Sequence, residues 1–202
     1  MPGAAGLVAM AAARSGCGLV TVVTPASAQP VIAGYSPVYM SWPVAETKEG
    51  WIASNAMEEL ESILERATIL AIGPGLGTGN GAKRVVSQLY RDATIPVVID
   101  ADGLNVLAAE AIELEDHAGP RILTPHPGEL RRLLGVSMKV ETPGELEQLE
   151  EAAAELAARS NIILVAKSHR TLVTDGSAKW RSSGGNSGMA TGGTGDVLTG
   201  II

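Results

Sequence analysis

The sequence contains no phenylalanine, and tryptophan and tyrosine supply only three residues each among 202. A core without Phe must be assembled from Ala, Val, Ile and Leu, the side chains that fill closely packed strands and helices. There is a single cysteine, Cys17, so an intrachain disulfide is excluded. No His or Cys stands at metal-ligand spacing from it, which argues against a zinc site. Within Ser15-Gly16-Cys17-Gly18, ahead of an apolar run, it reads as a small packed residue. No apolar run approaches the roughly 18 residues that span a bilayer. The first twenty residues are apolar but lack the basic segment of a secretory signal, and a soluble cytoplasmic protein is expected. No block of Lys or Arg offsets the formal charge of −7 left by 15 basic and 22 acidic residues. Duplex nucleic acid needs several cations on one face, so it is not an expected partner. A nucleotide is compatible with this balance, because backbone N–H groups can hold a phosphate without net positive charge.

Hydrophobic residues make up 46% of the chain, and its length suits one α/β domain. Leu7, Met10 and Ala13 share a helical face within 3–15, and Gly16 and Gly18 end that helix. Residues 19–24 read as a buried strand, whereas 25–51 has no regular pattern. A helix is read over 55–66, with Met57, Leu60, Ile63 and Leu64 inward and Glu58, Glu59, Glu61 and Glu65 solvated. Further strands are read at 68–72, 96–99, 121–123 and 161–166, and helices at 82–91, 128–134 and 143–159. A hairpin turns about Asp175-Gly176, and a helix starts at Asp196. Apolar strands alternating with helices predict a mostly parallel sheet covered on both faces. There is no internal repeat and no linker, so 1–202 is read as one domain.

The polar residues cluster after strand ends: the Gly73–Gly81 loop, Asp100 and Asp102, His126 and Glu129, and Lys167. In a parallel sheet those ends share one edge, where ligands bind. Thr191-Gly192-Gly193-Thr194-Gly195-Asp196 is the strongest signal. Its glycines let N–H groups converge, and the helix behind them adds its positive end, making a seat for a phosphoryl group. Asp196 is placed to take a proton from an attacking hydroxyl. The alternative is a Gly-rich turn in which Asp196 merely complements the helix dipole. The Gly73–Gly81 loop permits close ligand approach but lacks the Gly-Lys-Ser/Thr of a Walker loop. His126, stiffened by Pro125 and Pro127, could contact substrate. Glu129 could orient metal-bound water or simply charge the first turn of its helix. Lys167 could pair with a phosphate or be a solvated charge. Asp100 and Asp102 could be acid/base residues, with Asp102 equally suited to cap the helix at Leu104. His117 reads as a surface-loop residue, and His169 lies two residues past Lys167.

These motifs, in this order, resemble the NAD(P)H-hydrate dehydratase branch of the ribokinase-like superfamily. The resemblance runs through Gly3-Ala4-Ala5, Arg14-Ser15-Gly16-Cys17-Gly18, Gly73-Pro74-Gly75-Leu76-Gly77, Asp100-Ala101-Asp102-Gly103-Leu104-Asn105, Thr124-Pro125-His126-Pro127-Gly128-Glu129, Lys167, and Asn186 through Gly200. It implies a ribokinase-like fold and repair of the S form of hydrated NADH or NADPH, at the expense of ADP or ATP with Mg2+. The implied chemistry is phosphorylation of the ring hydroxyl and loss of phosphate. It further implies that Ala4, Gly75, Gly77, His126 and Asp196 touch the hydrate. Lys167, Ser168, His169, Arg170, Thr171, Thr194 and Gly195 would touch the adenine nucleotide, and Glu129 would act on the metal through water. A homo-oligomer and an epimerase, fused or separate, are the implied partners. The family usually has Gly where this chain has Ser168, and a side chain there would crowd the nucleotide. It normally begins earlier and continues further, so the chain is expected to be a piece of the domain. The alternatives are a related kinase of a thiazole or pyrimidine alcohol, whose pattern tends to have Asn at the place of His126, and an inactive nucleotide-binding fragment.

Overall fold

The computed structural model describes residues 1–137 and 142–202. Helix α1 (Pro2–Arg14) opens with Pro2 in its first turn, where a missing N–H breaks no helical bond. Strand β1 (Thr21–Pro25), helix α2 (Gln29–Tyr35) and strand β2 (Met40–Val44) come next, and β1 and β2 pair in parallel. Helix α3 (Ala56–Leu64) buries Met57 and Leu60 as its periodicity predicts. The chain then alternates through β3 (Leu70–Ile72), α4 (Asn80–Asp92), β4 (Val97–Ile99), α5 (Asp102–Ala109), β5 (Arg121–Leu123), α6 (Pro127–Leu134), α7 (Pro143–Ser160) and β6 (Ile163–Ala166). The hairpin strands β7 (Leu172–Thr174) and β8 (Lys179–Arg181) complete a six-stranded sheet in the order β3-β4-β5-β6-β7-β8, and helix α8 (Thr194–Ile201) ends the chain.

Strands β3 to β6 are parallel and β7 and β8 antiparallel, as the sequence predicts. Ile72, Ile99, Leu123 and Leu164 share one register level. The residues just past each strand therefore emerge on a common edge: Gly73, Asp100, Thr124 to His126, and Lys167. All three residues of β4 are at most 1% exposed. Since successive side chains point to opposite faces, this strand is covered on both. The main core joins these strands to Leu104 and Leu107 of α5, Leu130 of α6 and Leu149 and Leu156 of α7. Each fully buried Leu contributes about 2 kcal/mol of transfer free energy. No Phe is needed, because the aliphatic side chains already fill the layer.

Three sequence expectations are corrected. The unassigned stretch 25–51 contains α2 and β2. Cys17 is exposed rather than packed, because it lies beyond α1 in a turn that faces outward, and Leu19 beside it is outside the strand and also exposed. His117 does lie in a half-exposed loop, as the sequence reads, and its ring is held there: its Nε2 meets the Ser160 carbonyl at 2.9 Å, and the ring packs edge-on to Tyr90. Asp102 does not cap α5. It is the first helical residue, after Ala101 at φ +48°, and its carboxylate is used elsewhere.

Arg121 is a charged residue only 1% exposed at the start of β5. Its guanidinium donates to the carbonyls of Tyr90 at 2.8 Å and Ala93 at 2.6 Å, at the end of α4, and to Pro120 at 3.0 Å. It thus satisfies orphan carbonyls and meets the negative end of the helix dipole, with the Tyr90 ring 5.5 Å from its carbon.

Candidate functional site

The Gly-rich loop after β3 is forced on glycine by contact. At Gly73, with φ +124°, a β-carbon would lie 1.9 Å from the Asp100 carbonyl oxygen. Gly75 and Gly77 also have left-handed backbones, at +71° and +79°. The Gly77 N–H donates to Asp102 Oδ2 at 2.8 Å, which ties the loop to the start of α5. Gly75 faces α1: a β-carbon on it would stand 3.1 Å from Ala4 Cβ, and the Met1 ammonium donates to the Gly75 carbonyl. Gly77 faces Trp51, whose ring carbon Cζ3 would be 2.9 Å from an added β-carbon. Ala4, Gly75 and Gly77 therefore share one wall, with the half-exposed Trp51 ring at its end.

The second wall is the start of α8. Gly193 caps it with φ +91°, and a β-carbon there would meet Leu7 of α1 at 2.7 Å. Thr194 Oγ1 lies 3.1 Å from Thr191 Oγ1, closing the turn. The amides of Gly195 and Asp196 lie in the first turn and have no intrahelical acceptor. Gly195 sits directly against a partly buried ion pair. A β-carbon on it would be 3.4 Å from Lys167 Nζ and 3.6 Å from Asp100 Oδ2. Lys167 donates to Asp100 Oδ1 at 2.6 Å, and Thr199 of α8 donates to Asp100 Oδ2 at 2.9 Å.

Asp196 is half-buried beside this pair. Burial pushes its carboxyl above the usual carboxylate range, the Asp100 charge pushes the same way, and Lys167 opposes both. A carboxylate that holds its proton more firmly is a stronger base when ionised, which suits a group that must accept a proton from a hydroxyl.

His126 is the N-cap of α6. Its Nδ1 accepts from the Gly128 amide at 3.0 Å and the Glu129 amide at 3.4 Å, so the proton of the neutral ring is on Nε2. Glu129 Oε2 accepts from the His126 amide at 2.8 Å, completing a capping box, and Oε1 lies 3.4 Å from His126 Nε2. Both Glu129 oxygens are thereby turned to His126. The ring is 51% exposed and stands at the sheet edge next to Lys167, whose amide donates to the Pro125 carbonyl at 2.8 Å. Ser168 Oγ turns into its own loop and accepts from the Arg170 amide at 3.1 Å, and Thr171 Oγ1 donates to the Ser168 carbonyl at 3.3 Å. His169 and Arg170 are exposed, and His169 abuts Gly185 of the next loop.

The arrangement suits a phosphoryl group: two amides at a positive helix end, a glycine whose missing side chain leaves the space open, and an ammonium beside it. Among the described residues no group of three or more His, Cys, Asp and Glu could hold a metal by themselves. Sequence reasoning does not single out Trp51 or Thr199, and gives Asp102 two possible roles. Only the loop around Gly77 and the depth of α8 reveal what they touch.

A parallel sheet with its polar groups at the carboxyl edge, a Gly-rich turn and a closing helix with Asp in its first turn define a ribokinase-like α/β domain. The solved ribokinase-like superfamily protein from Enterococcus faecalis superposes with a TM-score of 0.77 at 27% identity, over 98% of this chain and 64% of that one. The family described as NAD(P)H-hydrate dehydratase matches residues 1–202, and the chain belongs to it. It is 39% identical to the bifunctional NAD(P)H-hydrate repair enzyme of Moorella thermoacetica, across all of this chain but 38% of that protein. The ADP/ATP-dependent NAD(P)H-hydrate dehydratase of Bacillus subtilis, co-crystallised with ATP/Mg2+, superposes with a TM-score of 0.73 at 32% identity, over 99% of this chain and 67% of that one. The chain thus spans well under half the length of the bifunctional relative. Among the described residues no helix is long and apolar enough to cross a membrane.

Proposed function

We propose that this chain carries the nucleotide-dependent dehydration of the S form of hydrated NADH and NADPH, using ADP or ATP with Mg2+. The observation that carries this reading is the meeting of Gly195, Asp196 and Lys167 at one point above the sheet edge. Hydroxide is a poor leaving group, whereas a phosphate ester leaves readily. Asp196 takes the proton of the ring hydroxyl as its oxygen attacks the terminal phosphoryl group. The Gly195 and Asp196 amides and the Lys167 ammonium face the charge that accumulates on the phosphoryl oxygens. Phosphate then departs with the C–O bonding pair. A proton passes from the neighbouring ring carbon to water, and its C–H pair becomes the restored double bond. Mg2+ supplies charge neutralisation on the phosphates.

Ala4, Gly75, Gly77 and the exposed edge of His126 line the side assigned to the hydrate, and Lys167 to Thr171 with Thr194 and Gly195 the side assigned to the nucleotide. The Ser168 hydroxyl is spent inside its own turn, so it need not crowd the nucleotide. Glu129, with both oxygens on His126, serves better as the residue that sets the histidine than as a metal group. The exclusive handling of one epimer requires an epimerase to convert the other, whether fused or separate. The setting is proposed to be the cytoplasm, where the cofactor pool is repaired, and self-association of the domain is part of the reading.

The test is a substrate panel. Hydrated NADH, hydrated NADPH and a thiazole alcohol are each offered with ADP and with ATP. Return of reduced-nicotinamide absorbance with the two hydrates supports the reading. Phosphorylation of the thiazole alcohol without that recovery would favour the kinase.

A further inference from the structure

Asp100 is the most enclosed ionisable group at the sheet edge, 1% exposed, and it has no free oxygen. Its Oδ1 holds Lys167 Nζ at 2.6 Å and its Oδ2 holds Thr199 Oγ1 at 2.9 Å, partners 67 and 99 positions away. The Thr199 hydroxyl could also reach the Gly195 carbonyl at 3.1 Å. It has one proton, and the carboxylate, closer and charged, is the stronger acceptor. A carboxylate engaged twice and shut from solvent is poorly placed to take a substrate proton. It is well placed to fix two things at once.

We propose that Asp100 is the positioning residue of the phosphoryl seat, holding the Lys167 ammonium with one oxygen and the second turn of α8 with the other, so that both stay fixed on either side of Gly195. The proposal rests on the reading of Gly195 and Asp196 as that seat. Three observations support it. The residues lie just past the ends of β4 and β6, which both flank β5 and do not pair with each other, and in the interior of α8, so Asp100 ties together elements that share no direct ladder hydrogen bonds. A β-carbon on Gly195 would approach Lys167 Nζ at 3.4 Å and Asp100 Oδ2 at 3.6 Å, which puts the clamp around the open space. The local charges are two carboxylates and one ammonium. With Lys167 committed to Asp100, the lysine does not capture Asp196, and the Asp100 charge adds to burial in keeping the Asp196 carboxyl above its ordinary range. The charged groups facing Asp196 are Asp100 from β4 and Lys167 from β6, with the α8 dipole beneath.

The test is an NMR titration of the Asp196 carboxyl in protein labelled with 13C at aspartate, as wild type, Asp100→Asn and Lys167→Met. It needs no substrate, so it reads the clamp whether or not the hydrate is turned over. In Asp100→Asn the midpoint falls, because a repelling charge is gone and the freed lysine turns to Asp196. In Lys167→Met it rises. Should Asp100→Asn fail to fold, Lys167→Met decides alone. If the hydrate is a substrate, Asp100→Asn lowers kcat about 100-fold through misplacement of the seat. Thr199→Val lowers it in part, and Thr199→Ser, which keeps the hydroxyl, restores it. A midpoint that stays put in the variants that fold overturns the proposal, as does wild-type kcat in Asp100→Asn. Midpoints that move as expected with no turnover of the hydrate by the wild type would leave the clamp standing and remove the substrate assignment.

Discussion

A β-carbon on Gly195 would stand 3.4 Å from the ammonium nitrogen of Lys167. That distance is tight but not impossible, and no positive φ constrains this glycine. Gly195→Ala should therefore fold, with a melting temperature near that of the wild type, while its methyl group occupies the phosphoryl space. The expected outcome is a rise of about tenfold or more in the nucleotide KM or Kd, equivalent to roughly 1.4 kcal/mol. Calorimetric titration with ADP and ATP, beside a thermal melt, checks it.

Asp196→Asn should lose activity and gain stability. General-base catalysis is worth about 100-fold to 10,000-fold, and kcat should fall by that order while nucleotide binding is kept. The stability sign comes from the raised carboxyl. The folded state holds the proton more firmly than the unfolded state, so ionisation costs stability as pH rises from the unfolded value through the folded one, and the cost persists above it. The variant should melt higher than the wild type near neutral pH, and the difference should vanish in acid below the unfolded carboxyl value. Thermal melts across pH measure this directly.

His126→Asn separates a cap from a substrate contact. Asparagine accepts helix amides at least as well as most residues, so α6 keeps its N-terminus, and stability should change by less than about 0.5 kcal/mol. The imidazole Nε2 edge, turned to solvent and Glu129, is lost. The hydrate KM should rise while the nucleotide KM holds. A parallel rise in both would assign His126 to the scaffold alone.

Arg121→Met should destabilise by about 3 kcal/mol without touching the chemistry. The carbonyls of Tyr90, Ala93 and Pro120 lose their buried donor, and unsatisfied buried acceptors are costly. Denaturant unfolding should show a lower midpoint, and KM values measured well below it should be unchanged.

The sheet edge is largely legible in the sequence because its strands are short apolar runs whose ends carry Gly73, Asp100, His126 and Lys167. The hairpin at Asp175 is legible too, since the Asp175 carboxylate accepts the Ser177 and Ala178 amides just as local turn chemistry demands. Strand β2 is not: Met40, Trp42 and Pro43 are exposed, so no alternation marks it. Arg121 is not, because a charge in a strand says nothing about a helix end 28 to 32 positions earlier that consumes its donors. Asp100 stands out as a polar residue in the right place. Its two partners lie far along the chain, and only folding brings Lys167 and Thr199 to the same carboxylate. Trp51 lies in a stretch without pattern, and its place against Gly77 depends on a loop glycine having no side chain.

The most direct measurement compares wild type with Asp196→Asn for ADP- or ATP-dependent recovery of NADH from its S hydrate, with nucleotide affinity determined on the same samples. Recovery by the wild type and its near-complete loss in the variant, at equal nucleotide affinity, is the predicted result. Equal recovery by both proteins would contradict the assignment of a phosphoryl seat with Asp196 as its base.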